Sequence, residues 1–213
     1  MIFPLVDTVK QLRYMIAHVE DSTLKSEYPE LESQLAALNS KHDFINSDYE
    51  FLLKFLYVYG RKSEATFNRF RNEIERFYLW SWHFTKSSVF NLKREDIEAY
   101  VDFMVKPEKP WSTNSVQWRF KDKDGIKYIN DKWRPFIEKE NGVSQQTLAA
   151  MFTALNVFYK FAQLEEKSAF NYVPVVKKNS PYLVVQSQIN MPDTLSDLQW
   201  EYVFGVTKDR CEK

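Results

Sequence analysis

The sequence predicts an all-α fold, a helical bundle with an N-terminal helical extension and one inserted arm that carries a β-hairpin signal. Three observations predict it. Apolar residues recur at spacings of three and four along most of the chain. Only four glycines occur, at Gly60, Gly125, Gly142 and Gly205, too few for a turn-rich all-β fold or a glycine-loop nucleotide site. Hydrophobic residues make up 44% and aromatics 16% of the chain, a composition that packs a core and argues against disorder.

The elements follow in order. Leu5, Val9, Leu12, Met15, Ile16 and Val19 fall on one helix face, with Asp7 or Thr8 as the cap. Glu27 to Leu38 reads as a second, short helix with Pro29 near its first turn. A third runs from Ser47 through Tyr57 and stops at Gly60. Residues 66–84 form a strong helical segment carrying Phe67, Phe70, Ile74, Phe77, Tyr78, Trp80 and Trp82, the two tryptophans reading as core. Leu92 to Ile97 opens another, with Ile97, Tyr100, Val101 and Met104 as its apolar stripe and Pro107 and Pro110 closing it.

Residues 106–142 differ in character. Between Lys106 and Lys139 there are nine basic and five acidic residues, interleaved with Trp111, Trp118, Phe120, Tyr128, Trp133 and Phe136. Asp124-Gly125 is a hairpin-type turn signal between Trp118-Arg119-Phe120 and Ile126-Lys127-Tyr128-Ile129. Such an arm suits base stacking and phosphate contact, or docking on a neighbouring protomer, and the sequence leaves both open. Residues 144–166 form the clearest helix, with Ser144 as N-cap and an apolar face from Leu148 to Ala162. A short element spans Ser168 to Val176. After a turn-rich stretch ending near Pro192, Thr194 or Ser196 caps a last amphipathic start from Leu195 to Phe204.

Charge and rare residues narrow the function. Twenty-nine basic residues balance 29 acidic ones, so a nucleic-acid role rests on local clustering of cations and not on the total. The single cysteine, Cys211, forms no internal disulfide and points to an intracellular chain. His18, His42 and His83 match no zinc spacing. No basic and apolar leader opens the chain, and no run is long enough to span a bilayer. No cofactor, membrane partner or small-molecule substrate is expected.

Five blocks stand in a telling order: Ser63-Glu64-Ala65-Thr66 leading to Trp80-Ser81-Trp82; Leu92-Lys93-Arg94-Glu95-Asp96-Ile97-Glu98-Ala99-Tyr100; Ser144-Gln145-Gln146-Thr147 leading to Phe158-Tyr159-Lys160-Phe161; Asn171-Tyr172-Val173-Pro174 with Lys177-Lys178; and Leu195-Ser196-Asp197-Leu198-Gln199-Trp200. In that order they resemble the SAM-like core-binding domain of tyrosine recombinases and phage integrases, over roughly residues 47–204. The insertion at 106–142 is longer than the corresponding loop of that family, and Asn156 stands where relatives often carry Arg or Ser. The resemblance implies an N-terminal extension at 1–46, a core-binding domain at 47–180 and a linker with the start of a catalytic domain at 181–213.

It also implies a function: clamping duplex DNA at a recombination site and supporting synapsis, for integration or excision of a mobile element. The partners would be double-stranded DNA and other recombinase protomers, in the cytoplasm, nucleoid-associated in a bacterium. In that family a tyrosine attacks a DNA phosphodiester while arginines and other polar groups stabilise the charge on the phosphate. Those groups belong to the catalytic domain. No histidine here is followed three residues later by arginine, so this chain by itself is expected not to cut DNA.

Three patches carry the expected DNA contacts. The first is Arg61, Lys62, Ser63, Thr66 and Arg69. The second is Ser144, Gln145, Gln146 and Thr147, with Asn156 and Lys160 further along the same helix. The third is Lys177 and Lys178, read as part of an interdomain linker. Arg61 and Lys62 also suit an ordinary solvated loop, Ser144 a simple cap, and Gln145 and Gln146 an ordinary surface. The acidic residues Glu20, Asp21, Glu27, Glu30 and Glu32 favour protein contact for the N-terminal extension. A helical protein-interaction module with no DNA role is the alternative that zero net charge supports. A complete small enzyme of another class lacks any nucleophile–base or metal signature.

Overall fold

The computed structural model describes residues 2–9, 12, 27–138, 142–183 and 200–202. Residues 1–183 form one compact unit and 184–213 a second. Helical residues predominate in the first. The turn-rich stretch ending near Pro192 and most of the amphipathic start at 195–204 lie outside the described residues, as do the elements read at 13–20.

Helix α1 spans Pro29–Asn39 and buries Leu31 and Leu35. Proline at its start suits the turn whose N–H groups have no intrahelical partner. Helix α2, Ile45–Gly60, buries Phe51, Leu52, Phe55 and Leu56 on one face. It ends where a side chain has no room: a Cβ on Gly60 would lie 2.9 Å from Cδ2 of Phe67. Glycine there lets α2 turn directly into helix α3, Glu64–Trp80, whose N-cap Ser63 accepts from the Thr66 N–H.

A π-helical turn, Ser81–Thr85, extends α3 and stops at Lys86, which adopts a left-handed φ of 52°. Widened turns of this kind mark places where packing overrides the regular ladder. Here the override serves Trp82, whose indole Nε1–H donates to Asp48 at 3.0 Å. Helix α4, Arg94–Val105, follows and buries Ile97, Tyr100, Val101 and Met104, the stripe expected from the sequence. Asp96 folds back to accept from the Lys93 N–H at 2.8 Å, closing its first turn. Helix α5, Gln145–Leu164, is the longest, and α6, Val173–Asn179, packs beside it.

Aromatic rings fill the centre. Phe158 of α5 lies 5.4 Å from Phe55 of α2 and 5.6 Å from Tyr78 of α3, both edge to face. Phe77 of α3 meets Tyr100 of α4 at 4.9 Å. Trp80 and Trp82 are both buried, as the sequence predicts, although they leave α3 in different directions. Trp80 faces Tyr100 and Trp82 faces Tyr78.

The insertion at 106–142 is a clasped arm. Strands β1 (Ser112–Thr113) and β4 (Phe136–Ile137) pair in parallel at its base. Strands β2 (Phe120–Lys123) and β3 (Ile126–Ile129) form the antiparallel hairpin read from Asp124-Gly125. Both turn residues have positive φ, 55° and 81°, the pattern of a tight turn matched to strand twist. The arm sits on its own helices. Trp111, Phe120, Trp133 and Phe136 join the common core, and Phe120 meets Tyr28 at 5.2 Å. These four side chains are covered within the chain, while Val116 and Trp118 of the same arm stay exposed.

In the N-terminal segment the helix starts at the expected cap, with Val9 and Leu12 helical and the Leu12 N–H donating to the Thr8 carbonyl at 3.0 Å, but Leu5 lies before it. Residues 2–8 are not helical, and Phe3, Leu5 and Val6 are buried in the same core as the helices. Distant side chains take the backbone groups a helix would have used. The Leu5 N–H donates to Glu75 and the Leu5 carbonyl accepts from the Tyr49 hydroxyl at 3.2 Å. The Val6 carbonyl accepts from Arg119 Nε at 2.7 Å, and the Asp7 carbonyl from Arg71. Phe3, Leu5, Val6, Leu12, Tyr28, Leu31 and Leu35 thus share one core with the helices that follow residue 46.

Glu75 and Arg119 form an ion pair with side chains 1% and 11% exposed. Removing one partner of such a pair strands a buried charge at a cost of about 3–5 kcal/mol, whereas replacing both is often neutral. Arg119→Met is expected to lower unfolding stability by about 3–5 kcal/mol, and adding Glu75→Leu to recover part of that loss. Urea denaturation of the single and double variants checks it, and a double variant no more stable than the single one refutes it.

Glu73 supplies a pH test. Burial raises its carboxyl above the ordinary range, with Arg76, 3.1 Å away, pulling it back. A carboxyl raised in the folded state contributes stability below its unfolded value and loses it as pH climbs through the folded one. The stability of Glu73→Gln relative to wild type should therefore increase from acidic to neutral pH. Parallel denaturation series at several pH values measure the trend.

Candidate nucleic-acid interface

Two helices begin with the same device. Ser63 accepts from the Thr66 N–H at 3.1 Å and its hydroxyl meets the Thr66 hydroxyl at 2.8 Å. Ser144 accepts from the Thr147 N–H at 3.2 Å and meets the Thr147 hydroxyl at 2.9 Å. Each cap satisfies an N–H that the helix leaves open. The four side chains are turned inward on their own backbone, so their first task is to start α3 and α5.

The residues around the α3 cap are exposed. Arg61, Lys62 and Arg69 lie in solvent, with the Arg61 guanidinium 5.1 Å from the centre of the Tyr57 ring. That stacking fixes the stem of Arg61 along α2. Glu64 stands in the first turn of α3 and partly offsets the cations.

Helix α5 is different. Its first turn holds no acidic residue, and none of its 20 residues is acidic in a chain that carries 29. Its outward side is a stripe of Gln145, Gln146, Ala149, Thr153, Asn156, Lys160 and Gln163, each exposed or half-buried. The steps of three and four keep these residues on one face. From Gln145 to Lys160 that face runs about 22 Å at 1.5 Å per residue. The N-terminal end adds the positive end of the helix dipole; Glu138 lines a cavity with Thr147 of the first turn.

Two members of the stripe also hold the fold. Asn156 Oδ1 accepts from Asn171 Nδ2 at 2.9 Å, and Gln163 Nε2 donates to the Ala169 carbonyl at 3.3 Å. Both tie α5 to the loop that leads to α6. Lys177 and Lys178 are exposed, but on the last turn of α6 and within the first compact unit, not in a linker. There they complement the negative end of that helix.

The structure thus places Asn156 and Lys160 on the α5 face that begins at Gln145 and Gln146, and puts the α3 cap and the α6 lysines on other helices. Thr153 and Gln163 were not singled out by the sequence reading, which followed the apolar face of α5. The signal that finds them is the polar face of the same helix, read for the absence of carboxylates. Among the described residues no cluster of three or more His, Cys, Asp or Glu is placed to hold a metal ion, and no helix is long and apolar enough to cross a membrane. No family model matches the chain, no curated protein is similar to it, and no solved structure matches its fold.

Caps and contacts separate by stability. Ser63→Ala and Ser144→Ala are each expected to cost about 1 kcal/mol. Gln145→Ala and Gln146→Ala should stay within about 0.5 kcal/mol of wild type, as exposed residues outside any network do. Chemical denaturation of the four variants decides between cap and surface for each position.

Proposed function

We propose that the chain is a duplex-DNA-binding helical module, the SAM-like core-binding part of a site-specific tyrosine recombinase, with α5 laid toward the DNA. One observation carries the reading: the acid-free outer stripe of α5. A helix fits the major groove, and glutamine and asparagine are the side chains that pair bidentately with adenine. Lys160 adds a phosphate contact. The five ordered sequence blocks support the same assignment. In this reading the chain supplies position and affinity, and strand cleavage belongs to a catalytic domain. Zero net charge makes the binding modest and leaves tight binding to neighbouring protomers or that further domain.

A helical protein-interaction module is the second reading. It is favoured by the exposure of Leu164, Phe170 and Val175 around the loop between α5 and α6, an apolar surface of the kind that partners cover.

Duplex titration across a range of salt concentrations separates the two. The expected result is an affinity that falls linearly with the logarithm of salt concentration, with a slope reduced by about one for Lys160→Ala. Absence of duplex binding at low salt removes the DNA reading and leaves the protein-interaction one.

A further inference from the structure

Trp118 is 85% exposed, the most exposed large apolar residue among those described. The other two tryptophans of the arm, Trp111 and Trp133, are buried. Its position is nonetheless held firmly. The Trp118 carbonyl accepts from Asn130 Nδ2 at 2.6 Å, and Asn130 is itself buried. The next peptide is held as well, with the Asn130 N–H donating to the Arg119 carbonyl at 3.0 Å. Arg119 is anchored in the core by Glu75 and Val6. A pinned backbone therefore presents a bare indole to water.

The surroundings say what covers it. Trp118 lines a shallow cleft of about 500 Å³ together with Lys121, Lys127 and Lys132, against one carboxylate, Asp122. Lys121 pairs with Asp131 at 2.6 Å and Lys127 with Asp122 at 2.7 Å, on exposed side chains apart from the half-buried Lys127. Such surface pairs are worth little and exchange readily for another anion. Lysine is depleted from protein–protein interfaces, so three of them around one tryptophan point away from a protein partner. An aromatic face flanked by cations is the arrangement that holds unpaired bases, with the ring stacking on the base and the cations on its phosphates.

We propose that Trp118 stacks an unpaired nucleobase of DNA while Lys121, Lys127 and Lys132 hold the flanking phosphates. The proposal rests on the reading that the chain acts on DNA, but it uses the arm and not α5, so the two fail separately.

The test is a fluorescence-anisotropy titration of the full chain with labelled oligothymidine and, in parallel, a blunt duplex. Trp118→Ala should weaken oligothymidine binding about tenfold or more, as loss of one stacked base does, and leave duplex affinity unchanged. Trp118→Phe should retain most of the single-strand affinity. The indole is solvent-exposed, so thermal unfolding of both variants should match wild type. Equal oligothymidine affinity in wild type and Trp118→Ala overturns the proposal even if duplex binding is intact. Loss of duplex binding with Trp118-dependent single-strand binding intact overturns only the α5 reading. Failure of wild type to bind oligothymidine at low salt overturns the stacking site, as does Trp118-dependent binding to anionic vesicles or self-association in its place.

Discussion

Glu75 points from the middle of α3 into a place that water does not reach, and three separate parts of the chain are fastened there. Its carboxylate accepts from the Leu5 N–H and forms an ion pair with the Arg119 guanidinium. Arg119 in turn holds the Val6 carbonyl and lies 4.7 Å from the Trp133 ring centre. Bundle, N-terminal segment and arm are thus joined through one buried charge. Burial pulls the Arg119 guanidinium well below its usual value, Arg71 pushes it further down, and Asp7 pulls it back. The pairing satisfies charges that neither partner could carry alone in that setting.

Asp48 plays the same part just beyond the C-terminal end of α3. Its buried carboxylate accepts from Trp82, from the Ser88 hydroxyl at 2.6 Å and from the Val89 N–H at 3.3 Å. Burial raises this carboxyl and the three donors draw it down. The π turn and the loop after it are shaped to bring those donors to one point. With the C-terminal half of α3 and the turn after it fixed by buried acids, the aromatic packing between α2, α4 and α5 has a rigid spine.

What the sequence made legible is what local physics decides. The helices from α2 to α5 follow from apolar spacing, Pro29 and Ser144 mark starts, and Asp124-Gly125 marks the hairpin. What it hid depends on long-range partners. Leu5 has helical spacing with Val9 and Leu12, which are helical, yet residues 2–8 are held out of that helix by Tyr49, Arg71, Glu75 and Arg119. In sequence those four look like parts of ordinary helix faces and a basic arm. The candidate site shows the same division. Ser144, Gln145, Gln146 and Lys160 were visible as residue types, while Thr153 and Gln163 needed the polar face to be read as a face. Trp118 was one aromatic among six in the insertion, and only the fold separates it from Trp111 and Trp133.

The anchoring of the N-terminal segment has a consequence for how the chain folds. Leu5 meets partners 44 and 70 residues away, and Val6 one 113 residues away. Until the arm has docked, Glu75 lacks its counterion and the Val6 carbonyl its donor. Closure of so long a loop comes late and cooperatively, because the ordering cost precedes the reward. The segment around Leu5 and Val6 is therefore placed late, as a latch that closes once bundle and arm are both in place.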